Sequence, residues 1–328
     1  MNPTVLRFAF CCLVAACTLL QPAAAGAQRG IAREGALFLV LPIGARQAAS
    51  GQSVAAMGAD ADQLYWNPAA TSRATQNEYA LHVGRFFAGP LISAAGVFPL
   101  RQAGVIGVTM SVLDYGTQET TDITGTTEGQ IAQQSYVLAA SYAATLGPHA
   151  SLGLTYEYAR FVGSCSGLCP PVAIFDVSTS AVSVGVQYVV TKDSGLVLAG
   201  ALRHAGLRFQ LNDAAQADPL PTRIQIGASY RLHSFDADLP GAQLRVTGDL
   251  IDRAQHLGDV APRVGVDLSW RGQFAVRAGY VGGTGDGTGL GVGFGIAVGG
   301  FITDVARTLG VSSDAGRGAT YVSVKSRW

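Results

Sequence analysis

Hydrophobic and polar residues alternate along most of the chain from residue 78 to the C-terminus. The alternation is clearest between Gly289 and Val298, where one face is entirely apolar and the other is almost bare. The apolar face carries Leu290, Val292, Phe294, Ile296 and Val298, whereas the other carries Gly289, Gly291, Gly293, Gly295 and Ala297. Because successive side chains of a strand point to opposite faces, this period of two predicts β-strands.

Other segments carry charge on the second face, which argues against the dry interior of a soluble sandwich. Arg223 and Arg231 alternate with Ile224, Ile226 and Tyr230, so one face suits lipid and the other suits water. The pattern predicts about fourteen strands, an even number that suits a closed, transmembrane, antiparallel up-and-down β-barrel in an all-β protein. The predicted strands are 78–87, 90–99, 103–115, 133–146, 150–162, 177–191, 195–206, 222–233, 242–252, 261–271, 273–281, 288–299, 300–307 and 318–328.

The predicted connections alternate between long and short. Long loops are expected at 116–132, 163–176, 207–221, 254–260 and 308–317, and tight turns at 146–149, 191–194 and 271–272. Long loops at one end and short turns at the other are typical of outer-membrane barrels. The charged residues expected to face the lumen, as a selectivity filter or as a mutually paired wall, are Glu157, Arg203, Arg245, Asp249, Asp267, Arg271 and Arg277.

Composition supports strands rather than helices as the membrane-crossing elements. Charged residues make up only 13% of the 328 residues, glycine occurs 42 times and the mean hydropathy is +0.28. Beyond the first few tens of residues, no apolar run reaches the roughly 18 residues that a membrane helix needs. The formal net charge of zero removes the basic surface expected of a nucleic-acid-binding protein.

Both termini indicate export to the outer membrane of a Gram-negative-type bacterium. Residues 1–27 are predicted to be a signal peptide cleaved after Ala27, although Val14-Ala15-Ala16-Cys17 also fits a lipoprotein signal. The chain ends in an alternating strand that closes on Trp328, which looks like the signal read by the outer-membrane assembly machinery. The predicted division is therefore signal peptide 1–27, N-terminal plug-like segment 28–76 with short helices, and barrel 77–328.

No catalytic or cofactor chemistry is expected from the sequence. After cleavage only Cys165 and Cys169 would remain, and in an oxidising compartment this spacing predicts a local disulfide. Metal binding is the weaker interpretation because no histidine lies nearby to complete four ligands. The five histidines are scattered without a recognisable motif, and the glycine-rich stretch 283–289 lacks the lysine of a phosphate loop. We therefore predict no enzyme, no cofactor and no metal.

The segment before the first strand carries the most specific motif. Leu41-Pro42-Ile43-Gly44-Ala45-Arg46 is followed by Asp60-Ala61-Asp62 and then by Leu64-Tyr65-Trp66-Asn67-Pro68-Ala69. This arrangement resembles the PorV/PorQ-type branch of the FadL-like outer-membrane barrels, although the two acids are separated by Ala61. The glycine face from Gly289 to Gly295 would leave room for this segment against the inner wall. The predicted plug and lumen residues, which either seat the segment or gate a substrate, are Arg46, Asp60, Asp62, Trp66, Asn67 and Pro68.

The resemblance implies an accessory barrel of a type IX-like secretion and surface-attachment system, binding exported proteins or the translocon. The disulfide-braced loop would then belong to the partner surface. The alternative is a FadL-like channel that admits hydrophobic small molecules across the outer membrane, and a purely structural barrel is a third possibility. An apolar pocket beside Trp66 would favour the channel, whereas an open polar lumen with exposed aromatic loop tips would favour partner binding.

Overall fold

The computed structural model describes residues 34–86, 88–170, 173–190, 195–209, 217–232, 240–283, 288–310 and 318–328. The predicted signal peptide lies outside these residues. The chain from Glu34 to Trp328 is one compact unit. Within the described part of the chain, no helix is both long and apolar enough to cross a membrane.

Among the described residues, fourteen strands form a closed antiparallel barrel in which each strand pairs with its sequence neighbours and β1 pairs with β14. The predicted fold is therefore confirmed. The strands are β1 (Glu78–Phe86), β2 (Gly89–Pro99), β3 (Val105–Thr121), β4 (Thr127–Leu146), β5 (Ala150–Gly167), β6 (Phe175–Val189), β7 (Leu196–Gly206), β8 (Arg223–Leu232), β9 (Ala242–Arg253), β10 (His256–Trp270), β11 (Phe274–Val281), β12 (Gly289–Val298), β13 (Phe301–Leu309) and β14 (Thr320–Arg327).

The outer face of the barrel is apolar and the inner face is polar. Along β1, Leu81 and Val83 are exposed whereas the intervening His82 is buried, and the other strands repeat this alternation. Aromatic side chains mark the end of the barrel where β1 begins and β14 ends, as expected for an interfacial girdle. The exposed members of this girdle are Tyr79, Tyr142, Tyr188, Tyr230, Trp270, Phe274 and Trp328. These features are those of an outer-membrane barrel, and the short turns at this end indicate that it faces the periplasm.

Three expected loops are shorter than the sequence predicted. The loop expected at 116–132 consists mostly of β3 and β4, which meet at a turn over residues 122–126, and β5 extends to Gly167. The loop expected at 254–260 is reduced to the two residues between β9 and β10. These strand ends rise past the apolar belt, where both faces meet water and the alternation that reveals a strand disappears.

The N-terminal residues 34–76, here called the luminal segment, lie inside the barrel. The segment contains the helix α1 (Ala45–Ala49) and three 3₁₀ turns at Leu37–Val40, Ala61–Tyr65 and Pro68–Arg73. A fourth 3₁₀ turn, Arg101–Ala103, connects β2 to β3. Helix α1 packs against β11 to β14, the Ala61–Tyr65 turn against β1 to β3, and the Pro68–Arg73 turn against β4 to β6. The segment therefore touches most of the inner wall.

Glycine in the wall makes this close packing possible. A Cβ atom on Gly291 would lie 2.1 Å from the carbonyl oxygen of Ala48, and one on Gly185 would lie 2.0 Å from Oδ1 of Asn67. Both distances are far below a van der Waals contact. The bare face of β12 is thus where the backbone of α1 approaches the barrel.

Candidate functional site

Charged side chains from the luminal segment and from the far end of the chain meet in the lumen. Arg46 on α1 forms ion pairs with Asp60 at 3.0 Å and with Asp267 on β10 at 3.3 Å. Lys325 on β14 lies 2.8 Å from Asp62. Arg277 on β11 bridges Asp267 at 2.7 Å and Asp304 on β13 at 2.6 Å. We call these residues the charge cluster: Arg46, Asp60, Asp62, Asp267, Arg277, Asp304 and Lys325.

Burial makes the charge cluster a strong constraint on the luminal segment. Burial by itself raises the pKa of Asp62, but the charges of Lys325 and His82 outweigh that effect and hold the pKa well below its usual range. Burial lowers the pKa of Arg46, and the neighbouring carboxylates of Asp267 and Asp60 raise it above its ordinary value. Both groups therefore stay charged near neutrality, and separating either of them from its ion-pair partners would leave uncompensated charges in a buried site.

The Trp66-Asn67-Pro68 motif fixes the backbone of the luminal segment rather than presenting reactive groups. The Trp66 indole donates from Nε1 to the carbonyl of Ile43 at 3.1 Å. Asn67 accepts a bond from the amide of Ala69 at 3.1 Å, which caps the following 3₁₀ turn, and donates to the carbonyl of Ala55 at 2.8 Å. The proline occupies the first position of that turn, where a missing amide hydrogen costs nothing.

A pocket lies beside Trp66, between the luminal segment and the wall formed by β2 to β7. Its apolar lining is Phe38, Leu39, Leu41, Ile43, Leu64, Trp66, Leu91, Leu113, Val137 and Ala139. Its polar lining is Tyr65, Thr109, Ser111, Ser135, Thr155, Glu157, Arg203 and His204. The cavity volume is about 50 Å³. Since a cavity of about 150 Å³ is known to take up benzene, a ring-sized molecule needs the lining to move.

The first described residues of the luminal segment close this pocket toward the extracellular end. Phe38 packs near the rings of Phe161 and Phe209, with centroids 6.3 and 6.4 Å apart. Glu34 forms two hydrogen bonds of 2.8 Å with the buried guanidinium of Arg223 on β8. The residues that close the pocket are therefore held by this ion pair, by the aromatic contacts of Phe38 and by a hydrogen bond of 3.0 Å from the amide of Gly35 to the carbonyl of Pro219.

The polar end of the pocket contains a hydrogen-bonded group that the sequence did not reveal. His204 and Glu157 come from β7 and β5, and their side chains meet with Nδ1 2.6 Å from Oε2. Ser183 on β6 donates to the other carboxylate oxygen at 2.5 Å. The guanidinium carbon of Arg203 lies 4.8 Å from the centroid of the Trp66 ring. Glu157 and Arg203 were expected to face the lumen, but only the fold unites them with His204.

One expected luminal charge is elsewhere. Arg271 lies at the exposed turn after β10, with a φ of 51°, and its guanidinium stacks over the ring of Trp270 at 5.0 Å. The predicted lumen position was wrong because the strand ends one residue earlier than the pattern indicated.

At the extracellular end, the sulfur atoms of Cys165 and Cys169 lie 1.96 Å apart as a disulfide. Trp328 stacks on Tyr79 with centroids 5.9 Å apart.

Comparison with known proteins rests on structure alone. No protein-family model matches the sequence, and no curated protein matches it significantly. The toluene transporter TbuX of Ralstonia pickettii superposes with a TM-score of 0.60 at 11% identity, covering 87% of this chain and 98% of that one. The monoaromatic hydrocarbon channel CymD gives 0.62 at 12% identity, over 87% and 97%. A FadL homologue of Pseudomonas aeruginosa gives 0.55 at 11% identity, over 88% and 98%.

These similarities define the class of fold: a FadL-like outer-membrane barrel. At such low identity they show the fold alone. The solved neighbours agree with the sequence-based resemblance to FadL-like barrels in general. The resemblance to the PorV/PorQ-type branch in particular stays a prediction.

Proposed function

We propose that this protein is a channel for hydrophobic small molecules across the outer membrane. The observation that supports the proposal is the pocket beside Trp66, in which ten of the eighteen lining residues are apolar, since an apolar pocket there is expected of a channel and not of an open, partner-binding barrel. The solved neighbours described as toluene transporters and hydrocarbon channels lend support through their common fold. The proposal extends to the class of substrate, which the fold alone does not define.

The seated luminal segment explains how such a channel would exclude polar solutes. Helix α1 and the two turns that follow it occupy the lumen, and the charge cluster holds them against the wall. An apolar molecule gains free energy by leaving water for the pocket, whereas a sugar or an ion gains nothing there. Uptake then requires only that residues 34–43 move and not that the whole segment leave the barrel.

A transport assay with two matched variants tests the proposal. Proteoliposomes that contain lipopolysaccharide, which slows the unaided passage of hydrophobic molecules, would receive labelled toluene or labelled glucose in the outer solution, and influx would be followed over time. We expect toluene influx well above that of empty liposomes and glucose influx equal to it. Leu39→Asn, which places an amide in the pocket, should lower toluene influx severalfold, because the unpaired amide weakens the apolar environment.

Leu37→Asn is the control, since Leu37 belongs to the same 3₁₀ turn but is 55% exposed and outside the pocket. Equal influx of toluene into protein-containing and empty liposomes would overturn the channel proposal. Equal loss in both variants would show that the pocket is not the route.

The secretion role remains the competing hypothesis, supported by the motif resemblance and by Ile123, Leu168 and Ile174, which are exposed near the extracellular turns. Its test is quantitative mass spectrometry of culture supernatant and cell surface in the parent strain and a deletion strain. Loss from the outside of large proteins that share a C-terminal domain would favour the secretion role. An unchanged exported proteome would leave the channel as the better account.

A further inference from the structure

A β-bulge brings two neighbouring side chains of β7 into the lumen together. The register between β6 and β7 shifts where Ser183 stands opposite both Arg203 and His204. His204 adopts a φ of 58°, and both side chains are buried instead of alternating between the two faces. Bulges commonly re-aim side chains near functional sites. Here the bulge adds an imidazole to a pocket wall where strict alternation would have turned it toward lipid.

The neighbours of His204 determine which of its nitrogens carries hydrogen. Glu157 has no hydrogen to give as a carboxylate, so the Nδ1 atom donates to it across 2.6 Å. Ser183 occupies the other carboxylate oxygen and also accepts from the backbone amide of His204 at 3.0 Å. In a neutral imidazole this arrangement leaves the lone pair on Nε2. The neutral ring therefore offers a hydrogen-bond acceptor.

The Nε2 atom of His204 is buried and has no hydrogen-bond partner among the described residues. The side chain as a whole is only 6% exposed and it lines the pocket. A buried acceptor without a donor is unfavourable, and a ligand that supplies the donor removes that penalty. Apolar side chains such as Leu113 and Val137 complete the same wall.

We propose that the pocket selects apolar ring compounds that carry a hydroxyl group, with His204 accepting the hydroxyl hydrogen and Glu157 positioning the imidazole. This inference rests on the proposed channel function and narrows its substrate class from hydrocarbons in general to phenol-type molecules. His204 contacts the ligand, whereas Glu157 and Ser183 act through it. A plain hydrocarbon fills the same apolar space but leaves Nε2 without a donor.

Direct binding to the purified, detergent-solubilised full chain tests the inference with three probes of similar size: toluene, p-cresol and p-toluate. We expect p-cresol to bind about tenfold more tightly than toluene, the effect of one added hydrogen bond. Equal binding of toluene and p-cresol would overturn the hydroxyl assignment. Tighter binding of p-toluate than of p-cresol would also overturn it, because the pocket would then select an anion through the cationic Arg203 or a protonated His204 and not a hydroxyl through an acceptor.

The variant His204→Asn separates this role from a structural one. Asparagine tolerates a positive φ, and its Nδ2 can replace Nδ1 as the donor to Glu157. Its Oδ1 then takes the place of Cδ2 of the ring, so no acceptor remains at the position of Nε2. The preference for p-cresol over toluene should fall to less than twofold, with toluene binding nearly unchanged. The same substitution at His149, on the periplasmic turn between β4 and β5, should keep the preference.

A retained p-cresol preference in His204→Asn would refute the role of His204. Resistance of the folded barrel to SDS before heating confirms that both variants fold. Failure of all three probes to bind would contradict the channel function itself, so the two proposals fail in distinguishable ways.

Discussion

The luminal segment is held in the barrel by different forces at its two ends. Residues 44–73, the luminal base, lie against bare glycine positions of the wall and are joined to it by the charge cluster. Residues 34–43, the luminal arm, form the inner wall of the pocket and are held by the ion pair of Glu34, by one backbone hydrogen bond and by apolar contacts, but by no part of the charge cluster. We therefore expect the base to stay fixed against the wall while the arm moves. A selective channel needs both, because the base blocks polar solutes and the arm admits the substrate.

The largest expected effect follows from removing a cation from the base. Lys325→Met would leave Asp62, Asp60 and Asp304 without the ammonium group that lies 2.8, 3.7 and 3.9 Å from them. Breaking a buried ion pair by removing one partner costs about 3–5 kcal/mol, so we expect the base to leave its seat. Planar-bilayer recordings should then show steady ion conductance that the parent protein lacks.

The double variant Lys325→Met with Asp62→Asn serves as its control. It removes one charge of each sign, and we expect it to recover part of the closed state. If the single variant shows no ion conductance in planar bilayers, the glycine contacts alone hold the base against the wall.

A smaller effect is expected from filling one of those glycine contacts. In Gly291→Ala the new Cβ would meet the carbonyl oxygen of Ala48 at 2.1 Å, so α1 must shift. Overpacking of this kind costs about 1–3 kcal/mol, and a lower thermal unfolding temperature with intermittent conductance should follow. Gly248→Ala is the matched control, because its Cβ would meet nothing within 4 Å. Identical unfolding temperatures for the two variants would contradict close packing of α1 against the barrel wall.

The base was easier to foresee from the sequence than the arm and the pocket. Alternation revealed the strands, because apolar positions that face lipid recur with a period of two. The motif residues Arg46, Asp60 and Asp62 were recognised, but their partner Lys325 was not, since it lies 263 residues from Asp62 and only barrel closure brings β14 beside β1. His204 was missed because a bulge breaks the alternation at that residue. The pocket exists only once the arm folds across the lumen.

Loosening the arm should change transport more than stability. Phe38→Ala removes a half-buried ring from the contacts with Phe161 and Phe209, a loss of about 1 kcal/mol for the aromatic pairing. Because the arm is the wall that must move, we expect toluene influx into proteoliposomes to rise severalfold while glucose influx stays at the level of empty liposomes. A rise in glucose influx would show that the arm also contributes to the seal assigned to the base.

The smallest effect is expected from an ion pair of similar geometry that lies outside the lumen. Arg160 on β5 binds Asp176 on β6 through two hydrogen bonds of 2.7 and 2.5 Å, but the two side chains are 46% and 56% exposed. Water and salt screen such a pair, so Asp176→Asn should leave both the unfolding temperature and the closed state unchanged. The contrast with Lys325→Met tests the effect of burial, since each change removes one charge from a close ion pair, but Lys325 is buried and faces two further carboxylates. A destabilisation of Asp176→Asn comparable to that of Lys325→Met would mean that contact geometry, and not the low-dielectric lumen, gives the charge cluster its strength.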